Sequence, residues 1–280
     1  MSLRILLIFL IVIQFFNRAE GQTKSCCTSP NSKFSELAMG HDFGTFHLPP
    51  DKINLVDDEG EPITFKCEDG TNANAYQIKS KNKSSRWLLV FHEWWGLNDY
   101  IRQEAMSLAA EMPEMNLLAI DLYDGKIAET ASIAQKFLSE LDENRASAII
   151  KGALHYAGSE AQIYTIGWCM GGTWSLQAGI LAGKQAKACV MYYGMPESDV
   201  SKLKMLNCEV LGIFASRDSW ISKEVVDEFA MNMKKAGKKL QIKVFEADHA
   251  FANPSNPRYD SVSAAEARKL SLNFFKKKIK

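Results

Sequence analysis

The sequence of 280 residues has no excess charge of either sign, because 33 lysine and arginine residues balance 33 aspartate and glutamate residues. A neutral chain has no overall field that attracts nucleic acid or an acidic surface, so neither is expected as a partner. Internal repeats, low-complexity tracts and interdomain linkers are also absent, and 46% of the residues are hydrophobic. These features predict a single domain with a sizeable core.

Two signatures of reactive sites are missing as well. The sequence contains no G-x-S-x-G, the pattern that carries a nucleophilic serine on a sharp turn between a strand and a helix. The spacing of the cysteines matches no zinc-site template, so no metal is predicted. The six cysteines are Cys26, Cys27, Cys67, Cys169, Cys189 and Cys208. If one of them is a free nucleophile, the remaining five cannot all pair within one chain, so a further free thiol or an intermolecular bond is expected.

The N-terminus has the pattern of a signal peptide. Residues 5–16 form an apolar run of twelve after a single positive charge, and the sequence AEG at 19–21 places small residues where a signal peptidase reads them. Residues 1–21 are therefore predicted to be removed before Gln22, which predicts a secreted or periplasmic protein. Because the run is too short to span a bilayer comfortably, an uncleaved anchor is the weaker interpretation, and no membrane span is predicted in the mature chain.

The chain after the signal divides into a lead-in and a domain. Residues 22–50 are polar and rich in turn-forming residues, which predicts a partly ordered lead-in segment to a domain over 51–280. Within the domain, residues 63–69 and 73–80 alternate apolar and polar side chains around a turn signal at 69–70. This pattern predicts a β-hairpin at the edge of a sheet.

From residue 86 onwards, strand patterns alternate with helix patterns. The predicted strands are 86–92, 116–120, 163–168, 188–193, 209–215 and 241–246, and the predicted helices are 99–110, 131–141, 145–156, a helix after residue 169, 223–235 and 261–278. Such alternation predicts an α/β fold whose mostly parallel central sheet is flanked by helices on both faces. In such sheets the reactive residues collect in loops at the carboxyl ends of the strands.

The segment 163–175, IYTIGWCMGGTWS, has the pattern of a nucleophile elbow with Cys169 at the corner. Glycines two residues before and after it, Gly167 and Gly171, remove the β-carbons that would collide in so tight a turn. The helix that begins at the corner directs its N-terminus at the thiol, which lowers a thiol's pKa and offers N–H groups to an anion. The alternative interpretation is a buried structural cysteine in a glycine-rich turn.

Three further candidates follow predicted strands. Glu93 follows the strand at 86–92, Asp218 follows the strand at 209–215, and His249 follows the strand at 241–246. The order Cys169, Asp218, His249 is the nucleophile, acid and base order of an α/β-hydrolase. A thiol needs a base to accept its proton, an imidazole can accept and return that proton, and a carboxylate fixes the imidazole tautomer. Asp218 alone has another interpretation, as the N-cap of the helix that follows it.

Backbone groups beside these residues are candidates for an oxyanion hole. The N–H groups of Met170, directly after the elbow cysteine, and of Trp94, in the loop after the strand at 86–92, are predicted to bind the tetrahedral oxyanion. The remaining histidines are interpreted as surface or satisfied core residues rather than catalytic ones. They are His41, His47, His92 and His155.

With these residues in place, the sequence resembles the dienelactone hydrolase family of α/β-hydrolases from about residue 63 to residue 278. The resemblance rests on five blocks in order, which are HEWWGLN at 92–98, DLY at 121–123, GWCMGG at 167–172, SRD at 216–218 and DHAF at 248–251. It implies a cofactor-free hydrolase of lactones and esters with Cys169, Asp218 and His249 as its triad. It also implies that Glu93 holds the resting thiol and releases it when substrate arrives.

The sequence departs from that family at two substrate-binding positions. Where the dienelactone-cleaving members carry two arginines that grip a carboxylate, this chain has Gly125, followed by Lys126, and Asn253. Lysine does not replace the bidentate arginine, and asparagine has no charge. Arg258 is a candidate substitute. The predicted substrate is therefore a small ester or lactone, without a prediction that it is anionic.

The function predicted from the sequence is hydrolysis of an ester or lactone bond by an exported enzyme through an acyl-thioester intermediate. The alternative is a catalytically inactive exported binding protein on the same scaffold, with Cys169 oxidised or structural. A thiol-dependent redox activity is a rival among enzymes. It requires a second cysteine near the first, and the nearest in sequence is Cys189 inside an apolar strand.

Overall fold

The computed structural model describes residues 29–55 and 59–279, and their central feature is one eight-stranded sheet. In chain order the strands are β1 (Glu61–Lys66), β2 (Asn72–Ile78), β3 (Arg86–Phe91), β4 (Asn116–Ile120), β5 (Gln162–Trp168), β6 (Ala186–Tyr192), β7 (Glu209–Ala215) and β8 (Leu240–Phe245). Their order across the sheet is β1-β2-β4-β3-β5-β6-β7-β8. β1 and β2 form the predicted antiparallel hairpin, β2 pairs antiparallel with β4, and all other neighbours are parallel.

Helices connect the strands and pack against the sheet. They are α1 (Pro30–Ala38), α2 (His41–Phe46), α3 (Asp99–Glu111), α4 (Ala131–Glu140), α5 (Glu143–Ala157), α6 (Met170–Leu181), α7 (Val200–Leu203), α8 (Lys223–Lys235) and α9 (Ser261–Ile279). Several of them begin where a side chain accepts hydrogen bonds from the backbone N–H groups that a helix start leaves unpaired. The capping residues include Ser29, Asn98, Thr130, Asp142 and Asp199. The predicted α/β architecture with a mostly parallel sheet is confirmed.

The core is centred on β3 to β7. The run Leu88–Phe91 is fully buried, as expected for a parallel strand covered on both of its faces. α6 follows β5 directly, packs against β3, β5 and β6, and is buried along nearly its whole length. The corner between β5 and α6 is therefore held rigidly in the middle of the molecule.

Residues 29–47, which include α1 and α2, form a compact segment that we call the N-terminal cap. The sequence predicts a partly ordered lead-in over residues 22–50, and the structure shows two helices in its described part that pack on the domain. Phe34 of α1 and Phe43 of α2 are fully buried, and their rings meet edge to face with centres 5.8 Å apart. Burial of two phenylalanines stabilises the segment by several kcal/mol, at roughly 1.5–3 kcal/mol for each.

The predicted signal peptide at residues 1–21 lies outside the described residues. Across residues 29–55 and 59–279, no helix has the length and apolar character needed to cross a bilayer.

Candidate active site

Cys169 lies at the corner between β5 and α6. Its φ of 56° and ψ of −123° fall in a region that residues with a β-carbon rarely adopt. The backbone N–H of Cys169 donates to the carbonyl of Tyr192 at 3.0 Å, which anchors the corner to β6. Cys169 directly precedes the first residue of α6 and is fully buried. This is the geometry of a nucleophile elbow.

The corner requires glycine at two positions. A β-carbon at Gly167 would lie 2.1 Å from the carbonyl oxygen of Gly171, and one at Gly171 would lie 2.3 Å from the carbonyl oxygen of Phe91. Carbon and oxygen atoms that are not bonded pack at well over 3 Å. β5 and α6 therefore meet backbone to backbone, and this close approach fixes the position of Cys169 relative to β3.

His249 lies between Cys169 and Asp218. Its Nδ1 is 2.6 Å from Oδ2 of Asp218, and its Nε2 is 3.4 Å from Sγ of Cys169. Because a carboxylate only accepts hydrogen bonds, Nδ1 carries the proton and Nε2 presents its lone pair to the thiol. The loops that follow β5, β7 and β8 thus bring together the three residues that the sequence predicts at successive strand ends.

Asp218 is held in place by the backbone of its own loop. Its Oδ1 accepts hydrogen bonds from the N–H groups of Trp220 and Ile221, both at 2.9 Å. Burial opposes ionisation of Asp218, but His249 and these two N–H groups outweigh it and keep the pKa of the carboxyl below its usual range. Asp218 is therefore an oriented carboxylate that supports the tautomer of His249.

The thiol of Cys169 is protonated in the resting site. Burial raises its pKa well above the usual range, and the charges of Glu93 and Asp218 raise it further. The backbone N–H groups of Met170 and Trp94 hydrogen-bond to the sulfur and lower the pKa. Both residues predicted as oxyanion donors thus direct their N–H groups at the reactive atom.

Glu93, in the loop after β3, is 4% exposed. Its Oε2 accepts a hydrogen bond from Nδ2 of Asn253. Neither its Oε1 nor the hydroxyl of Tyr193 makes a hydrogen bond of normal geometry with the described residues. Burial raises the pKa of Glu93 to about 7, although His249, Asn253 and Tyr193 act to lower it. This carboxyl group therefore changes its charge near neutral pH, beside the thiol.

The site contains a histidine that the sequence indicates is a surface or satisfied core residue. His47, at the end of the N-terminal cap, is 2% exposed, and its ring centre lies 5.5 Å from that of His249 and 5.2 Å from that of Trp94. His92, by contrast, is a satisfied core residue as predicted, since its Nδ1 donates to the carbonyl of Glu93 and its Nε2 accepts from the N–H of Leu122. No periodic pattern around residue 47 signals that the cap reaches the site.

An open cleft of about 330 Å³ adjoins the buried site. Glu93 and Asn253 line it on one side, and Trp168 together with Tyr100 and Glu104 of α3 lines it elsewhere. Glu93 also acts on the thiol of Cys169, so this residue connects the cleft with the buried site. The cleft is large enough for a small ester or lactone.

Of the three residues predicted to bind substrate, Asn253 lines this cleft and Lys126 and Arg258 do not. The ammonium of Lys126 lies 5.6 Å from the centre of an aromatic ring of α4. The guanidinium of Arg258 lies 3.8 Å over the ring of Phe46, and it is 3.9 Å from the carboxylate of Asp248. Both cations therefore have partners outside the cleft.

The other described cysteines are buried and free. They are Cys67, Cys189 and Cys208, whereas Cys26 and Cys27 lie outside the described residues. The sequence predicts at least one free thiol besides Cys169.

The mostly parallel sheet, the strained cysteine corner and the Asp-His pair at its edge define an α/β-hydrolase. The sequence profile of the dienelactone hydrolase family matches residues 73–279. The chain belongs to the dienelactone hydrolase family, as its motifs predict, and is a hydrolase of that type. The matched span begins within β2, so the N-terminal cap precedes it.

Curated relatives match most of the chain, and solved structures share its fold. The chain is 25% identical over 231 residues to carboxymethylenebutenolidase of Pseudomonas putida, covering 76% of this chain and 95% of the relative. It is 27% identical over 222 residues to protein usf of Aquifex pyrophilus, covering 72% and 94%. A dienelactone hydrolase-like promiscuous phosphotriesterase from metagenomic libraries shares the fold, with a TM-score of 0.65, 20% identity and coverage of 79% and 99%. Dienelactone hydrolase from Anabaena variabilis does so with a TM-score of 0.58, 15% identity and coverage of 79% and 99%.

Proposed function

We propose that the chain is an exported enzyme that hydrolyses a small ester or lactone through an acyl-thioester on Cys169. The observation that carries this proposal is the continuous line from Asp218 through His249 to Cys169, with contacts of 2.6 and 3.4 Å, at a strained strand-to-helix corner. The carboxymethylenebutenolidase among the relatives supports a lactone or ester as the substrate class.

The chemistry begins with transfer of the thiol proton of Cys169 to Nε2 of His249 as the sulfur attacks the carbonyl carbon. Asp218 balances the charge of the imidazolium that forms. The N–H groups of Met170 and Trp94 donate to the oxyanion of the tetrahedral intermediate. The imidazolium then protonates the leaving alkoxide, and His249 next deprotonates a water molecule that hydrolyses the thioester and restores the thiol.

Glu93 regulates the resting state in this proposal. Its negative charge, together with burial, raises the pKa of the Cys169 thiol and keeps the sulfur un-ionised. We infer that substrate in the cleft breaks the hydrogen bond between Glu93 and Asn253. Without this bond Glu93 is more readily protonated, and the neutral carboxyl group no longer raises the pKa of the Cys169 thiol when the thiolate is needed. The protein thereby protects an otherwise reactive thiol until a substrate is bound.

The acyl-thioester is directly testable. We expect an acid-quenched reaction with p-nitrophenyl acetate to carry one acetyl group on the peptide that contains Cys169, and an initial burst of p-nitrophenol equal to the amount of enzyme. Mass spectrometry of the digested protein measures the first, and stopped-flow absorbance measures the second. Turnover with the acetyl group on another residue contradicts the mechanism. A free Cys169 thiol without turnover indicates the inactive binding protein instead.

We expect this enzyme to discriminate little between a neutral ester and its carboxylate-bearing analogue, because no arginine among the described residues lines the cleft beside Asn253. A charge-assisted hydrogen bond contributes roughly 1.5–3 kcal/mol. Asn253→Arg should therefore raise kcat/KM for the anionic ester, relative to the neutral one, by about tenfold to a hundredfold.

Asn253→Gln is the matched control for that substitution, since it keeps an amide and adds no charge. The comparison is best made at low salt, where an introduced charge is least screened. A wild-type preference of a hundredfold or more for the anionic ester contradicts the prediction, and Arg258 is then the first residue to replace.

Export is proposed from residues 1–21 alone. We expect protein recovered outside the cytoplasm to begin at Gln22, because the signal peptidase would cleave after the AEG sequence. N-terminal sequencing of the exported fraction measures this. Protein that retains Met1 in a membrane fraction contradicts the proposal.

A further inference from the structure

The N-terminal cap places His47, whose imidazole can bind a metal ion, beside Cys169 and His249. The ring of Phe43 stacks on that of His47 with centres 4.0 Å apart, and it meets the rings of Trp94 and His249 at 4.9 and 5.9 Å. His47 is therefore fixed over the site by aromatic contacts on more than one side. The packing of the cap therefore determines where His47 lies.

The two ring nitrogens of His47 have different surroundings. Nδ1 lies 2.7 Å from the carbonyl oxygen of Phe43, and because a carbonyl only accepts, Nδ1 carries the proton. Nε2 is buried and has no hydrogen-bond partner among the described residues. A buried lone pair without a partner is costly and calls for a ligand.

His249 repeats this arrangement, since Asp218 binds its Nδ1 and leaves Nε2 facing the sulfur of Cys169. The ligating atoms of His47, Cys169 and His249 all lie within 4.8 Å of one another. Imidazoles that bind metals in proteins are oriented in the same way, with the outer nitrogen donating to a carbonyl or a carboxylate. Both imidazoles of this cluster thus already have the supporting contacts of metal ligands.

We propose that His47, Cys169 and His249 form a binding site for Zn²⁺, with two imidazole nitrogens and one thiolate as ligands and a fourth position open to water. Nitrogen and sulfur ligands suit zinc, whereas calcium and magnesium prefer oxygen. Zinc bonds of about 2.0–2.3 Å place tetrahedral ligands roughly 3.5 Å apart. Nε2 of His249 and Sγ of Cys169 are already 3.4 Å apart, so binding requires only that the imidazole of His47 approach these two atoms by about 1 Å.

Binding exchanges one proton and changes no oxidation state. The Sγ–H bond of Cys169 breaks, the proton leaves to solvent, and a bond from sulfur to zinc forms. The ion then occupies both the sulfur and the imidazole nitrogen that ester hydrolysis requires. Zinc is consequently a reversible inhibitor, a consequence that rests on the proposed function, whereas the binding site itself does not.

The test uses the full chain with Cys26→Ser and Cys27→Ser, so that thiolates outside the site do not contribute. Zn²⁺ affinity is measured by competition with a chromophoric chelator, and Co²⁺ serves as a spectroscopic probe. We expect one bound ion, a thiolate-to-cobalt charge-transfer band and tetrahedral d–d bands. X-ray absorption of the zinc form should show one sulfur and two imidazole nitrogens.

Variants of His47 distinguish zinc binding by all three ligands from zinc binding by the Cys169 thiol alone. His47→Gln should weaken Zn²⁺ binding by about a hundredfold or more, since loss of supporting contacts alone costs 10–100-fold. His47→Cys should keep tight binding and add a second thiolate contribution to the cobalt spectrum. His155→Gln, which changes an exposed histidine of α5, should leave the affinity unchanged.

Equal zinc affinity in the His47→Gln variant overturns the proposal, and so does a zinc form with fewer than two imidazole ligands. Near-ultraviolet circular dichroism verifies that the variants are folded. The X-ray absorption spectrum of the zinc form identifies the ligands without any variant. Failure of the site leaves ester hydrolysis through Cys169 intact. Failure of that hydrolysis leaves the metal spectra unchanged, so the two failures are distinguishable.

Discussion

Replacing Cys169 by alanine lowers kcat/KM for p-nitrophenyl acetate by about 10⁴-fold or more while the fold is retained. Alanine removes the sulfur that His249 contacts at 3.4 Å, so water must attack the ester directly, with only the oxyanion donors left to help. Both residues carry a β-carbon at the same positive φ, and the strain of the corner is therefore similar. Steady-state kinetics and circular dichroism measure the two parts of this expectation.

Cys189→Ala is the matched control, because Cys189 is equally buried and lies on the neighbouring strand β6. It should leave kcat/KM within a few-fold of the original value. Adding His249→Gln to Cys169→Ala should lower the residual rate little, since the members of a triad act as a unit. Near-normal turnover in the alanine variant would falsify the assignment of the nucleophile.

Glu93→Gln should stabilise the fold above neutral pH and leave its stability unchanged near pH 4. Burial raises the pKa of Glu93 from 4.5 to about 7, so the folded chain binds this proton more strongly than the unfolded chain does. The resulting stability is fully present below pH 4.5 and is lost as pH rises to about 7. Glutamine has no such proton, so its advantage grows across this window to about 3 kcal/mol.

Urea denaturation of the two proteins at a series of pH values measures that difference. His47 acts in the opposite direction, because its lowered pKa destabilises the fold in acid, but it does so in both proteins and cancels. Glu228→Gln, at an exposed position of α8, is the control and should give no pH-dependent difference. The prediction is contradicted if the difference in the free energy of unfolding between Glu93→Gln and the original chain stays constant from acid to alkaline pH.

Much of the sheet could be predicted from the sequence, because each element there carries its own pattern. The strand at 209–215 and the helix at 223–235 are observed with those bounds. The placement of Asp218 and His249 follows from one rule, that the carboxyl ends of parallel strands meet at one edge. The elbow followed from glycine spacing that only a backbone-to-backbone corner requires.

The packing of the N-terminal cap and the positions of the Lys126 and Arg258 side chains could not be predicted, since they depend on contacts between residues far apart in the sequence. His47 reaches the site only because Phe43 is buried against residues far along the chain, and nothing local to residue 47 encodes that contact. For the same reason no spacing template relates it to Cys169. Lys126 follows a turn in which Asp124 and Gly125 both adopt positive φ, and its ammonium lies over a ring of α4 and not in the cleft.

The wide separation of the site residues along the chain also bears on how the protein folds. The groups around the sulfur come from the N-terminal cap, from the loop after β3, from the elbow and from the loop after β8. Bringing them together closes loops that span nearly the whole domain, and such contacts form late. Catalytic competence is therefore acquired in the last stage of refolding, after the sheet has collapsed. Recovery of hydrolysis would report completion of the native structure, whereas tryptophan fluorescence reports earlier compaction.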